Sequence, residues 1–104
     1  MHRLIIASLA LLLGRAAQSA EPILKQMHGT WRSEKQMVLI DTERMLGNTD
    51  TAKPFQRDAL NLRNIAGQMV VFDIGGKRFI GVFDRNELRL TGDGITGSEI
   101  LHRR

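Results

Sequence analysis

The stretch at residues 68–83 constrains the fold of this chain more than any other. It consists of two short apolar runs that are separated by the glycine pair Gly75-Gly76. Glycine readily adopts the positive φ angles that the tight turn of a β-hairpin requires. A two-residue turn at this pair predicts that Phe72 lies opposite Phe79. Cross-strand aromatic pairs stabilise a register by about 0.2–1 kcal/mol, so we expect a hairpin here.

The same register sorts the hairpin side chains onto two faces, because successive residues of a strand point to opposite sides. Asp73 lies opposite Arg78, so opposite charges meet near the turn. One face carries aromatic and aliphatic side chains: Val70, Phe72, Ile74, Phe79 and Phe83. The other face carries Met69, Val71, Ile80 and Val82. We assign the aromatic face to the core.

A third strand extends the aromatic face. Residues 84–87 have the composition of a turn, and a loop of either two or four residues there places Leu88 opposite Phe83. Leu90 then lies opposite Gly81, and the alternate residues of this strand are polar. The strand is therefore apolar where the aromatic face needs it. We predict a three-stranded antiparallel meander.

Other strands are indicated on both sides of this meander, at residues 29–33, 36–41, 58–65 and 98–102. Short strands with turns between them are typical of all-β proteins, and we predict a small antiparallel meander that closes into a barrel or sandwich of about 6–8 short strands. The segment at residues 42–57 allows two interpretations. It forms either a single helical turn that ends at Gly47 or a continuation of the preceding strand to Leu46.

The connection before the central hairpin determines which side of the preceding strand is buried. A three-residue connection at residues 66–68 places Leu60 and Leu62 on the aromatic face, whereas a two-residue connection places them on the opposite face. We favour the longer connection. In the last strand either Ile100 or Leu101 points inward, and the sequence does not fix this register.

The first twenty residues have the pattern of a secretory signal peptide. Arg3 precedes an apolar run of about ten residues, which is too short to span a membrane, and small residues follow. We expect cleavage after Ser19 or Ala20, which leaves residues 21–104 as one small domain. The chain has no cysteine, so we expect no disulfide and no lipid anchor on cysteine. These features predict a periplasmic or secreted bacterial protein without a membrane anchor.

The charge of the chain gives little reason to expect a nucleic-acid partner. The full sequence has 15 basic and 11 acidic residues, and loss of Arg3 and Arg15 with the signal peptide lowers the net charge from +4 to +2. That balance is ordinary for a soluble protein. We therefore expect no binding of nucleic acid.

The tripeptide Gly29-Thr30-Trp31, the meander that follows it and the basic end Arg103-Arg104 resemble the calycin superfamily. Calycins are up-and-down β-barrels that include lipocalins, avidins and small bacterial metalloprotease inhibitors. The resemblance implies that Gly29 and Trp31 open the first strand and close the barrel floor. It also implies that Arg103 packs across the indole, where a cation contributes about 0.5–2 kcal/mol.

Groups able to perform catalysis are scarce in this sequence. Ser98 and His102 are four residues apart, which on a strand is roughly 13 Å, too far for the hydrogen bond that activates a nucleophile. His28 and His102 are too few, without a spaced carboxylate, to indicate a metal site. We expect no catalytic residue, no cofactor and no metal.

The second face of the hairpin is the leading candidate for a binding surface. It carries Met69, Val71, Ile80 and Val82. An apolar cluster of this kind is rarely left bare, so residues 21–28 or 42–57 cover it, or a protein partner or second copy does. We expect an exported, non-enzymatic protein that binds another protein, with inhibition as one version of this hypothesis. The contact is expected on this face or at the loop of residues 47–53.

Two alternative functions are also compatible with the sequence. One is a small-ligand carrier with a cavity of the calycin type. The other is an envelope enzyme, which requires that His28 and His102 converge with a carboxylate in a pocket.

Overall fold

The structure is a computed structural model that describes residues 22–104. Eight strands form an antiparallel meander: β1 (Gly29–Arg32), β2 (Met37–Asp41), β3 (Leu46–Asn48), β4 (Asp58–Ala66), β5 (Met69–Ile74), β6 (Lys77–Asp84), β7 (Glu87–Gly92) and β8 (Glu99–Arg103). Pairing of β1 with β8 closes the barrel. A short helix, α1, covers residues 22–27. The predicted all-β meander is confirmed, whereas the predicted signal peptide at residues 1–20 lies outside the described residues.

The central hairpin β5–β6 and the strand β7 have the predicted register. The observed pairs include Phe72 with Phe79, Asp73 with Arg78, Phe83 with Leu88 and Gly81 with Leu90. The two-residue turn needs a positive φ only at Gly75, where φ is 60°. A positive φ at the first central position gives a turn whose twist matches that of the flanking strands. Gly75 is therefore the glycine that the backbone requires.

The connection between β4 and β5 is shorter than the favoured prediction, which was wrong on this point. The turn has only two residues, 67–68, and a β-bulge at Arg63 shifts the register further along β4. With the short turn alone, Leu60 and Leu62 would point outward. The extra residue at the bulge turns both side chains back to the aromatic face. Leu60 is therefore buried, and Leu62 packs against the core.

Neither interpretation of residues 42–57 is correct. Strand β2 ends at Asp41, a turn occupies residues 42–45, and β3 begins at Leu46. The Asp41 carboxylate accepts hydrogen bonds from the backbone N–H groups of Glu43 and Arg44, each at 3.0 Å. These bonds are those of a helix N-cap, but Met45 has a positive φ of 56°, which ends the turn, and the chain returns as a hairpin.

Side chains fill the interior of the barrel. The largest fully buried ones include Trp31, Phe72, Phe79, Phe83, Met27, Ile40, Leu88, Leu90 and Leu101. Helix α1 contributes Ile23 and Met27 to this core. Leu101 is the inward residue of β8, because it is fully buried while Ile100 is 45% exposed. An eight-stranded barrel is just wide enough for side chains to fill.

The strand directions define two ends of the barrel. The floor carries α1, the last residues of β8 and the turns at residues 42–45, 67–68 and 85–86. The open end carries the loop at residues 49–57, the turn at Gly75-Gly76 and the segment at residues 93–98. The two ends therefore differ in the length of the segments that protrude from them.

Candidate functional site

Gly29, Trp31 and Arg103 meet at the barrel floor. The guanidinium carbon of Arg103 lies 4.3 Å from the centroid of the Trp31 ring. Its nitrogens donate hydrogen bonds to the carbonyl oxygens of His28 and of Gln26, the latter at 2.5 Å. A Cβ atom at Gly29 would lie 2.8 Å from Arg103 Nη1, so glycine makes room for the guanidinium. These contacts give all three residues a structural role.

The Trp31 indole is also held from the core side. Its Nε1 donates a hydrogen bond to the Met27 carbonyl at 2.9 Å, and its ring lies edge-on to Phe83 with centroids 5.5 Å apart. Trp31 is fully buried. The floor therefore closes the barrel and offers no aromatic platform to a ligand.

The outer hydrophobic face, defined as Met69, Val71, Ile80 and Val82, remains open to solvent. Met69 is 40% exposed, Ile80 42% and Val82 38%, while Val71 is half-buried. Met69 pairs with Val82, and Val71 pairs with Ile80. Helix α1 packs against the core instead, and the loop at residues 49–57 lies at the open end. Neither segment buries this face.

An ion cluster borders the outer hydrophobic face toward the open end. The Asp73 carboxylate accepts hydrogen bonds from Arg78 Nε at 2.8 Å and from Arg63 Nε at 2.7 Å. These bonds, the Arg78 bond first, hold the pKa of Asp73 well below its usual range. The bond to Asp73 in turn raises the pKa of Arg78. Arg63 is the bulge residue of β4, so the bulge brings a second guanidinium to this carboxylate.

Acidic side chains border the same face toward the floor. Asp84 on β6 pairs with Glu87 on β7, two residues beyond the pair of Val82 with Arg89. Side chains two residues apart on a strand share a face, so both carboxylates point outward. Ile100 on β8 pairs with Arg89 and is 45% exposed, which extends the apolar surface by one strand.

The loop at residues 49–57 is a second exposed surface, and it is anchored by Asn48. Asn48 is only 1% exposed. Its amide nitrogen donates to the carbonyl oxygens of Lys53 at 2.8 Å and of Asp50 at 3.4 Å, and its oxygen accepts the Asp50 N–H at 2.9 Å. Because the polar atoms of a buried asparagine need partners, these bonds fix the path of the loop.

Two consecutive turns bring Phe55 to the tip of this loop. Backbone hydrogen bonds of 3.2 and 3.1 Å close turns at residues 50–53 and 53–56. Pro54 has the fixed φ that suits a central position of the second turn. Phe55 is 94% exposed. The loop predicted from the sequence as a contact, residues 47–53, ends before Phe55, whose signal is a phenylalanine in a largely polar stretch.

A groove of about 330 Å³ lies beside α1, and its lining includes His28, Thr42 and Glu43. His28 Nδ1 lies 3.8 Å from Asp41 Oδ1 and 3.5 Å from Thr42 Oγ1. Both groups approach the same ring nitrogen, which already accepts the Thr42 N–H at 3.1 Å. A catalytic triad needs the acid and the nucleophile at opposite nitrogens of the ring. The arrangement is therefore a hydrogen-bonded turn rather than a relay.

The two histidines of the enzyme hypothesis have separate surroundings. His28 contacts Asp41 and Thr42, whereas His102 on β8 pairs with Arg32 of β1 and with Glu87 of β7. Within residues 22–104 no three metal-ligating side chains are grouped so that they could hold an ion. In the same part of the chain, no helix has the length and apolar character needed to cross a bilayer.

A polar pocket of about 280 Å³ opens at the open end, and its lining includes Asn48, Gln56, Asp58 and Lys77. The Gln56 amide donates to both oxygens of the Asp58 carboxylate, at 3.2 and 2.9 Å, so these two polar groups satisfy each other.

Comparison of this chain with protein-family models, curated proteins and solved structures gives no significant match.

Proposed function

We propose that this chain is an exported, non-enzymatic protein that binds another protein, and that Phe55 anchors the contact. The observation that carries the proposal is that Phe55 is 94% exposed on a loop whose path is fixed by the buried Asn48. Burial of a phenylalanine side chain contributes about 1.5–3 kcal/mol. A partner that buries Phe55 gains this free energy without having to order the loop.

The loop has the properties of an interface hot spot. Aromatic anchors that fill a pocket often contribute about 2 kcal/mol or more, and an anchor that is ordered before binding loses less entropy. Lys53 and Arg57 lie two residues from Phe55 on either side, which favours a partner pocket with an anionic rim. The nearby carboxylates of Asp50 and Asp58 already accept hydrogen bonds from the loop itself.

Inhibition is the specific form of this function that we favour. An enzyme whose substrate pocket accepted Phe55 would lose access to its substrate. Export to the periplasm or beyond the cell is part of the proposal and is supported by the signal-like pattern of residues 1–20. A calycin-like origin of the barrel is supported by the contact of Arg103 with Trp31 at the floor.

The two other functions have weaker support. A small-ligand carrier needs a cavity, and aromatic side chains occupy the barrel interior around Phe72 and Phe79. An envelope enzyme needs a free base, and the Nδ1 atom of His28 already accepts a backbone N–H. Binding through a surface requires neither a cavity nor a base.

Photo-crosslinking tests the proposed contact. A benzophenone amino acid replaces Phe55 in the purified protein, and a control carries it at Thr51, an exposed position of the same loop. Each protein is irradiated with the envelope fraction of the source cells. We expect an adduct that forms at position 55 and not at position 51. Excess wild-type protein should suppress this adduct, and excess Phe55→Ser protein should not.

The captured protein is then purified, and its Kd is measured against defined variants. Phe55→Ser should weaken binding by about 30-fold, which corresponds to about 2 kcal/mol. Asn48→Ala should weaken it less, because the anchor is present but the loop is no longer held. Thr51→Ala should have no effect. Equal affinities of wild-type and Phe55→Ser proteins, or no adduct specific to position 55, would refute the proposal.

A further inference from the structure

We propose that this chain also forms a two-fold symmetric dimer in which the outer hydrophobic face packs against the same face of a second copy. The inference goes beyond the proposed function, because it concerns the wall formed by β5–β8 and leaves the loop at residues 49–57 free. Three observations carry it. The face is exposed, its side chains form cross-strand rows, and the exposed Arg78 borders one end while Asp84 and Glu87 border the other.

Outward side chains on β5, β6 and β7 form four parallel rows. In order from the open end, the rows contain Asp73 and Arg78; Val71, Ile80 and Thr91; Met69, Val82 and Arg89; Asp84 and Glu87. Residues that pair directly across strands have their side chains on the same face. Two largely apolar rows therefore lie between a row in which Arg78 is bonded to Asp73 and a row of two carboxylates.

A two-fold axis that runs along the rows, midway between the two apolar rows, makes this face complementary to itself. The rotation reverses the strand direction and places each strand over its own copy. Val82 then lies opposite Ile80 of the second copy, and Asp84 lies opposite Arg78 of the second copy. A two-fold axis parallel to the strands would instead place the row of Asp84 and Glu87 over the same row of the second copy, and like charges disfavour that contact.

The charged groups at the border are available for this contact. The Arg78 side chain is 60% exposed despite its bond to Asp73, and Asp84 is exposed. Arg89, the cation within the apolar rows, lies opposite Thr91 of the second copy. The charge pattern therefore favours a second copy over an unrelated partner, because one face supplies both members of each ion pair.

The size of the face predicts a weak dimer. Four strands and four rows span roughly 14 by 20 Å from the spacings of a β-sheet. This footprint of about 280 Å² per copy is smaller than that of standard specific interfaces, so the dimer should form only at high protein concentration. Two copies related by one two-fold axis form a closed pair, since each copy uses the same patch.

Sedimentation equilibrium over a range of concentrations tests the dimer. Wild-type protein should show a reversible monomer–dimer equilibrium. The double variant Val71→Ser/Ile80→Ser should stay monomeric and folded, and Phe55→Ser, a matched loss of exposed apolar surface elsewhere, should dimerise like the wild type. Wild-type protein that is monomeric even at the concentrations used for NMR would overturn the inference. Unfolding of the double variant would also overturn it, because the face would then belong to the core.

Charge reversal tests the orientation. Asp84→Arg alone and Arg78→Glu alone place like charges opposite each other, and each should raise the dimer Kd by about tenfold or more. In an equimolar mixture the two reversed side chains face each other and the native pair is intact, so a heterodimer of near wild-type affinity should form. A mixture that does not associate would overturn the antiparallel arrangement. If circular dichroism shows that Arg78→Glu is unfolded, the single variant Asp84→Arg decides the question. Dimerisation of Asp84→Arg with the wild-type Kd would then overturn the antiparallel arrangement.

Discussion

Replacement of Arg103 by methionine tests what holds the barrel closed at its floor. The substitution keeps a linear apolar stem and removes the guanidinium. That group stacks on Trp31 of β1 and bonds to the carbonyl oxygens of His28 and Gln26 at the end of α1. Strands β1 and β8 and helix α1 would therefore lose a common contact. We expect the free energy of unfolding to fall.

The size of the loss follows from these contacts. A cation over an indole contributes about 0.5–2 kcal/mol, and a hydrogen bond from a charged donor about 1.5–3 kcal/mol. Arg103 is half-buried, so water replaces part of each bond, and the lower values for the stacking and the two bonds add to about 3.5 kcal/mol. A domain of this size has roughly 4–12 kcal/mol of stability in total. The melting temperature should fall by roughly 14–28 °C.

Urea unfolding followed by tryptophan fluorescence measures this change, because Trp31 is the only tryptophan. Arg103→Lys keeps the charge but lacks the planar fork, so its stability should lie between the wild type and Arg103→Met. Arg104→Met is the matched control, because Arg104 is the exposed neighbour. A loss below about 0.5 kcal/mol for Arg103→Met, as for an ordinary surface change, would refute the reasoning.

Two further predictions concern the barrel wall. Gly81→Ala should lower the free energy of unfolding by about 1–3 kcal/mol, because a Cβ atom there would lie 2.9–3.2 Å from three core side chains. Gly76→Ala is the control. A Cβ atom at Gly76 would have no neighbour within 4 Å, so this variant should be nearly neutral in the same urea assay. Asp73→Asn should lower stability at neutral pH, because Arg78 and Arg63 stabilise the Asp73 carboxylate and lower its pKa. A lowered pKa contributes stability above the usual aspartate range and loses it in acid, so the difference from wild type should narrow below about pH 4. A difference that is constant from neutral pH into acid would contradict this assignment.

The central hairpin could be predicted from the sequence because its register depends on neighbouring residues alone. Gly75 begins a two-residue turn, and each pair that follows is then set by counting outward. Aromatic side chains at Phe72 and Phe79 and opposite charges at Asp73 and Arg78 agree with that count. Local geometry and side-chain chemistry give the same answer here, which is the condition under which a sequence specifies a structure.

The strand before this hairpin could be predicted only in part, because two local features compensate each other. A two-residue turn would have reversed the face of Leu60, and the bulge at Arg63 reverses it again. The bulge residue bonds to Asp73 at 2.7 Å, a contact ten positions away in sequence. Hydrophobic periodicity contains no information on such a contact. The burial of Leu60 was therefore predicted correctly, but the length of the turn was not.

The loop that presents Phe55 could not be derived from periodicity either. Its path depends on the buried Asn48, whose amide reaches the Lys53 carbonyl five residues later. An asparagine in a polar segment usually indicates an exposed turn, and nothing in its neighbours shows that this one is buried. The exposure of Phe55 is thus a consequence of tertiary packing at the open end.

The filled interior determines where this protein can bind anything. Eight short strands enclose a volume that Trp31, Phe72 and Phe79 already occupy, so we expect contacts with other molecules on the loops and the outer wall. Side chains at those places contribute little to the core. Phe55→Ser should therefore weaken partner binding and leave the dimer intact, and Val71→Ser/Ile80→Ser should abolish the dimer and leave partner binding intact, each with little change in unfolding temperature. Loss of both associations with either variant would mean that the two surfaces act as one site.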